Sequence, residues 1–322
     1  MNRTGRLRLV AVVGIGWGVT IVLAVGYVYS GGLTRQPVVD IFREKSTQLT
    51  FVLIPEGDFI STIPAESRKL QWDIPKSVVA RDGRELAVMT SYCGKASIDR
   101  PFYISTTEVT NRAFLTFVEE TDYRAPEGLE YPFLHQFDEA GDLTAFSGPD
   151  QPVICVNMED AEAFCAWLSR KLGRRVRLPT AVELQYVAFA GREDDGSGWH
   201  NADWCQWGGA PLEIDWSDVD EIAWYRDNSS GVTHEVGMKR PNVFGVFDAL
   251  GNVREWTSTP SHDTRNEWLA WPDLPEEGWF MTVGGSYLSE AHHLLAPYSH
   301  STDYRTGRWG CLGFRVVCEI GR

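Results

Sequence analysis

Apolar positions in this chain recur at helical spacing in its first half and lose any sustained period in its second. Leu49 to Ile54 is a strand-length apolar run closed by Pro55-Glu56-Gly57. Phe102 to Ser105 reads as another short strand. Thr110 can cap a helix reaching about Glu120, with Phe114, Phe117 and Val118 on one face. From Glu159 to Leu172 the signal is clearer: Ala161, Phe164, Cys165, Leu168 and Leu172 share one stripe. Arg170 and Lys171 suit the C-terminal dipole of that helix, and Gly173 can end it. After Pro179, a capping box over Thr180-Ala181-Val182-Glu183 opens a third helix to about Ala190. Residues 62 to 97 mix charge with Pro and Gly and read as a long excursion. From Gly191 onward, Gly, Asn, Asp, Trp and Pro leave room for short strands only. The pattern predicts an α/β (α+β) domain whose second half is dominated by loops.

One apolar run is different in kind. Leu9 to Tyr29 carries no charge over its 21 positions, enough helix to cross ~30 Å of hydrocarbon. Arg3, Arg6 and Arg8 precede it, so the positive-inside rule keeps the N-terminus cytoplasmic and sends the rest across. The run is longer than a signal-peptide core, and no clean Ala-x-Ala site follows it. The expected organisation is a cytoplasmic stub (1–8), a transmembrane anchor (9–29), a polar linker (30–48) and one exported domain (49–320), facing the periplasm or the exterior.

Composition narrows the partners. Net charge is −14, and an acidic surface repels nucleic-acid phosphate and anionic headgroups, so no nucleic-acid partner is expected. The expected membrane contact is the N-terminal helix alone. Six cysteines (Cys93, Cys155, Cys165, Cys205, Cys311 and Cys318) contain no C-x-x-C pair, which argues against a zinc ribbon or thioredoxin motif. Their even number in an exported domain favours disulfides without saying which. Arg315, between Phe314 and Val316, reads as a buried cation paired with a carboxylate.

The most specific signal is a series of short motifs in order. They include Phe51-Val52-Leu53-Ile54-Pro55-Glu56-Gly57, Glu108-Val109-Thr110-Asn111, Pro152-Val153-Ile154-Cys155-Val156-Asn157 and Arg177-Leu178-Pro179-Thr180. Phe247-Asp248-Ala249-Leu250-Gly251-Asn252-Val253-Arg254-Glu255-Trp256 follows, then Gly284-Gly285-Ser286-Tyr287 and Leu312-Gly313-Phe314-Arg315. The series resembles the sulfatase-modifying-factor family of the formylglycine-generating enzymes, over roughly residues 49 to 319. The resemblance implies the formylglycine-generating-enzyme variant of the C-type-lectin fold, with low regular secondary structure.

It also implies sites. In the family, a loop like 248–255 binds structural calcium; carried over, its ligands are Asp248, the carbonyls of Gly251 and Val253, and Glu255, an oxygen set suited to a hard cation. Cys165 stands where the family has a cysteine paired with the terminal strand, and Cys318 lies two residues past the partner's place, so the resemblance implies a Cys165–Cys318 disulfide. Family oxidases hold copper with two cysteines just after the Gly-Gly-Ser turn, and those places read Ser289 and Leu294.

A hydroxyl and an isobutyl group cannot replace two thiolates for soft Cu(I). The leading expectation is therefore a calcium-stabilised accessory or binding module without formylglycine-generating activity. It would recognise a protein or glycan ligand in the groove around Ser286, Ser289 and His292. The alternative is an oxidoreductase holding non-haem iron or copper through His292 or His293 and His300, and a third reading is an accessory factor in sulfatase maturation. Neither iron nor copper is expected on the leading reading. The candidate catalytic residues are Ser286, Ser289, His292 and His300.

Overall fold

The computed structural model describes residues 10–12, 22–24, 40–61, 77–79, 85–87, 94–124, 143–188, 216–261, 278–294 and 300–321. β1 (Val10–Val12) and β2 (Val22–Ala24) pair antiparallel with each other. β3 (Ile41–Arg43) pairs with β4 (Thr50–Ile54). β5 (Gly57–Ser61) is followed by the β6 (Ser77–Val79) and β7 (Glu85–Ala87) pair, then by β8 (Gly94–Ile98), which returns to β5. β9 (Phe102–Ser105) leads into α1 (Asn111–Thr121).

The helices start where their side chains can satisfy orphan amides. Thr110 Oγ1 accepts the Ala113 N–H at 3.2 Å to open α1. α2 (Met158–Leu172) opens on a reciprocal box in which the Asn157 side chain accepts from Asp160 N–H and the Asp160 side chain from Asn157 N–H, both at 2.9 Å. The helix therefore begins one residue earlier than the apolar stripe alone suggests. β10 (Val176–Arg177) and α3 (Ala181–Ala188) follow, the latter capped by the expected Thr180–Glu183 box. α4 (Trp216–Ile222) precedes β11 (Arg254–Pro260), β12 (Trp279–Val283), β13 (His300–Tyr304), β14 (Leu312–Gly313) and β15 (Val317–Cys318).

The central sheet runs β10-β15-β9-β4-β3, and its pleat sends successive side chains into two different cores. Phe51 and Tyr103 face α1 and α2, where Phe114, Phe117, Phe164, Trp167, Leu168 and Phe314 pack together. Val52, Ile54, Ile104 and Val317 face the opposite way, against Leu184 and Val187 of α3 and Met281 and Val283 of β12. Each fully buried side chain of this size contributes about 1.5–3 kcal/mol. A second sheet, β13-β12-β11-β14, carries Trp256, which is fully buried and donates its Nε1–H to Val156 O at 2.9 Å. Phe164 and Phe314 meet edge-on at 5.4 Å, tying the helical half to the terminal strands.

Two segments given other roles by the sequence contain strands among their described residues. The segment expected to form a transmembrane helix contains strands β1 and β2 among its described residues, and the rest of 9–29 lies outside them. No helix of the described residues is long and apolar enough to cross a membrane. The linker expected at 30–48 already contains β3, which is part of the central sheet.

Candidate functional site

The loop between Phe247 and Trp256 is held by positions that few residues tolerate. Asp248, Gly251 and Asn252 all have left-handed φ, at 49°, 80° and 53°. At Gly251 a Cβ would lie 2.2 Å from Trp224 O, so a side chain is excluded as well as strained. The Gly251 N–H donates to Gly284 O at 2.8 Å, and Asn252 N–H donates to Trp224 O at 2.7 Å. The Asn252 carbonyl accepts from Tyr287 N–H at 2.9 Å, so this loop and the Gly284-Gly285-Ser286 turn are one unit.

Beneath it lies a buried charge cluster. Arg315, with no solvent exposure, donates Nε–H to Glu255 Oε2 at 2.7 Å and Nη2–H to Glu255 Oε1 at 2.6 Å. Its Nη2 also reaches the carbonyls of Phe247 and Asp248, both at 3.1 Å. The cation expected at 315 is thus buried and paired. Glu108 and Asp248 complete the cluster: Glu108 Oε1 accepts from Asn252 Nδ2–H at 3.1 Å, and Asp248 Oδ2 from Gly237 N–H at 2.6 Å. Glu108 Oε2 and Asp248 Oδ1 are buried without a hydrogen-bond partner. Burial, with three carboxylates facing one guanidinium, raises Glu108 well above the usual carboxylate range, raises Glu255, and brings Asp248 to about 6.

This geometry fits the expected calcium ligands in part. Asp248 offers an unused buried oxygen, whereas both oxygens of Glu255 already serve Arg315. No group of three or more His, Cys, Asp or Glu side chains able to hold a metal occurs among the described residues.

The Gly284-Gly285-Ser286 turn is built on φ values of 106° and 70° at its glycines. Ser286 is buried, and its N–H donates to Ser289 Oγ at 2.9 Å while the Ser289 N–H donates back to Ser286 O at 2.9 Å. The two hydroxyl oxygens are 3.5 Å apart. Among the described residues no imidazole or carboxylate bonds either hydroxyl. Leu294 is fully buried with Val219, Ala223, Tyr225, Leu250 and Ala291. It packs directly under the turn: a Cβ on Gly285 would lie 2.5 Å from Leu294 Cδ2. The expected oxidase thiol positions are a turn hydroxyl and a core leucine.

Of the three candidate histidines, only His293 has its side chain among the described residues. His292 and His293 share a 3-10 turn, Ala291–Leu294, and His293 is exposed. His300 begins β13 opposite Val283. The side chains of His292 and His300 lie outside the described residues.

The expected Cys165–Cys318 disulfide is absent, and both residues are free thiols. Cys165 is buried in α2, whereas Cys318 pairs in the ladder with Val176 and Tyr103, its sulfur 3.8 Å from Glu319 O. A displacement of two residues keeps the strand face but moves the sulfur about 6.6 Å along it, beyond the reach of a disulfide. Burial pushes both thiols above their ordinary range.

Sequence reasoning missed Glu108, which looked like a helix-preceding residue only, and the bridging role of Asn252. An acid two residues before a helix cap is the one signal that pointed to Glu108, and it is weak. Three large aromatics of the loop-rich half, Trp256, Trp279 and Tyr287, are buried.

Comparison with known proteins places this geometry. Chaperone protein LppX of Paenibacillus barcinonensis is 32% identical over 150 residues, covering 44% of this chain and 48% of that protein. Formylglycine-generating enzyme of Bos taurus is 27% identical over 208 residues, covering 63% and 50%. The chain thus spans about half the length of these two relatives. Inactive C-alpha-formylglycine-generating enzyme 2 of Mus musculus is 25% identical over 257 residues, covering 69% and 77%. The solved structure of PvdO from Pseudomonas aeruginosa shares the fold, with a TM-score of 0.58 at 23% identity over 87% of this chain and 98% of that one. The sulfatase-modifying factor enzyme 1-like domain matches residues 40–320, nearly every described element. With its Gly-Asn loop, Gly-Gly-Ser turn and buried Arg315 in place on that fold, this chain belongs to the sulfatase-modifying factor family.

Proposed function

We propose that this chain is a non-oxidising member of its family, an accessory module that binds a protein partner. The observation carrying this reading is Leu294. It is fully buried beneath Gly285 at a position where the resemblance calls for a reactive thiol. The second thiol position, Ser289, spends its hydroxyl on the turn itself. Two relatives point the same way by name, one an inactive formylglycine-generating enzyme and the other a chaperone protein.

The candidate contact surface is the rim of that turn, where Leu288 is half exposed beside the Arg226–Glu290 ion pair at 2.7 Å. Structural calcium belongs to the proposal. Asp248 would hold it through its unused Oδ1, with the carbonyls of Gly251 and Val253, and with Glu255 sharing its oxygens between the cation and Arg315. Anchoring through residues 9–29, with the domain exported, also belongs to it and rests on the uncharged run and its preceding arginines.

The test is elemental analysis of the full chain purified without chelator from its native compartment. About one equivalent of calcium, with neither iron nor copper in stoichiometric amount, supports the reading. Stoichiometric iron or copper, lost on changing His292, His293 and His300 to Ala, overturns it in favour of an oxidoreductase.

A further inference from the structure

We propose that Cys155 and Cys311 form a thiol–disulfide exchange site, in which Cys311 meets an incoming disulfide and Cys155 resolves it. The backbone brings the two together although 156 positions separate them in sequence. Residues 153–158 and 305–313 run past each other in opposite directions. A Cβ on Gly313 would lie 2.5 Å from Val153 O. Cys155 N–H donates to Trp309 O at 3.1 Å, and Met158 N–H donates to Arg305 O at 3.0 Å. Cys311 lies between the points where its segment touches Val153 and Cys155. The two sulfurs are near enough for each to act on the other's charge, and backbone movement is what would bring them to disulfide length.

The two thiols differ as an entry and a resolving thiol should. Cys311 is partly exposed, and Arg254 Nη2 lies 3.6 Å from its sulfur. Cys155 is buried, and its backbone is pinned at φ 56° by its own N–H bond to Trp309 and by Arg308 Nη1–H donating to its carbonyl at 3.2 Å. Burial raises its thiol to about 12, with Cys311 the next contributor. After burial, both sulfurs also raise the Tyr287 hydroxyl, which places all three groups in one locality next to the Gly-Gly-Ser turn.

The chemistry balances with an external disulfide as oxidant. The Cys311 thiolate attacks one sulfur, the external S–S bond breaks, one external thiolate leaves, and a mixed disulfide forms. Cys155 loses its proton to solvent and attacks Cys311 Sγ, expelling the second thiolate. The external disulfide is reduced to two thiols, and the pair is oxidised by two electrons. Because the Cys155 thiol is raised, closure quickens as pH rises.

The experiment treats the full chain with oxidised glutathione and maps all six cysteines by non-reducing peptide mass spectrometry. Loss of two thiols with a linked Cys155–Cys311 peptide is expected. Cys155→Ser should stop at a glutathione adduct on Cys311, and Cys311→Ser should leave Cys155 unmodified. A wild-type chain that retains glutathione on Cys311, or that links Cys311 to any cysteine other than Cys155, overturns the proposal. The wild-type map decides alone, so a variant that fails to fold does not shelter it.

Discussion

Arg315 and Glu255 form a two-pronged ion pair with no solvent exposure at the guanidinium, donor–acceptor distances running from 2.6 to 2.9 Å. The pair joins the terminal strands to β11 and holds the carbonyls of Phe247 and Asp248 above it. Removing one partner leaves the other charge buried and alone, which costs about 3–5 kcal/mol. Arg315→Met should therefore lower the free energy of unfolding by that amount in urea titration. A loss under about 1 kcal/mol would mean the pair is replaceable.

Gly251→Ala tests the loop above the pair. The new methyl group would meet Trp224 O at 2.2 Å in a left-handed backbone. A loss of roughly 2–4 kcal/mol is expected from the clash and the strain together. Gly173→Ala is the control, because its φ of 63° is also left-handed but nothing lies within 4 Å of an added Cβ. It should cost only about 1–2 kcal/mol, and equal losses at both sites would rule out the steric account.

Leu294→Ala should cost about 2–5 kcal/mol, the usual range for truncating a buried leucine. A thermal melt is sufficient to see it. If Leu294→Ala leaves the melting temperature unchanged, the residue is not the core support described here, and the turn is free to move.

Glu44 sets a pH dependence with a definite sign. Burial opposes its ionisation, but bonds from Thr47 and Ser46 outweigh it, including Thr47 N–H at 2.7 Å, and hold its carboxyl below the usual value of 4.5. A lowered folded-state pKa stabilises the fold above the unfolded value and loses that contribution as pH falls through the folded one. Glu44→Gln should therefore be less stable than wild type at pH 7 by roughly 1–2 kcal/mol. The gap should narrow only below pH 4.5. A gap that is constant with pH would show that packing, rather than charge, sets it.

Much of the helical half was legible in the sequence. The stripe from Ala161 to Leu172 and the Thr180–Glu183 box mark α2 and α3 because helix periodicity and caps are local properties. The β1–β2 pair and the early start of the central sheet were not legible. A valine-rich uncharged run satisfies both helix and strand patterns, and Ile41–Arg43 is too short to show alternation. The buried cluster was half visible. Arg315 stood out as a charge inside an apolar strand, whereas Glu108 is joined to it only by the fold, across 207 positions of sequence. The Cys165–Cys318 bond failed because strand face was read correctly and distance along the strand was not.

The proposed function implies that the turn around Gly285 does not carry out formylglycine-generating oxidation. The direct measurement incubates the full chain, supplied with Cu(I) and oxygen, with a peptide carrying a sulfatase cysteine, and weighs the peptide by mass spectrometry. The account predicts an unchanged cysteine, whether or not the peptide binds. Conversion of that cysteine to an aldehyde by the wild-type chain, beyond a copper-only control, would contradict it.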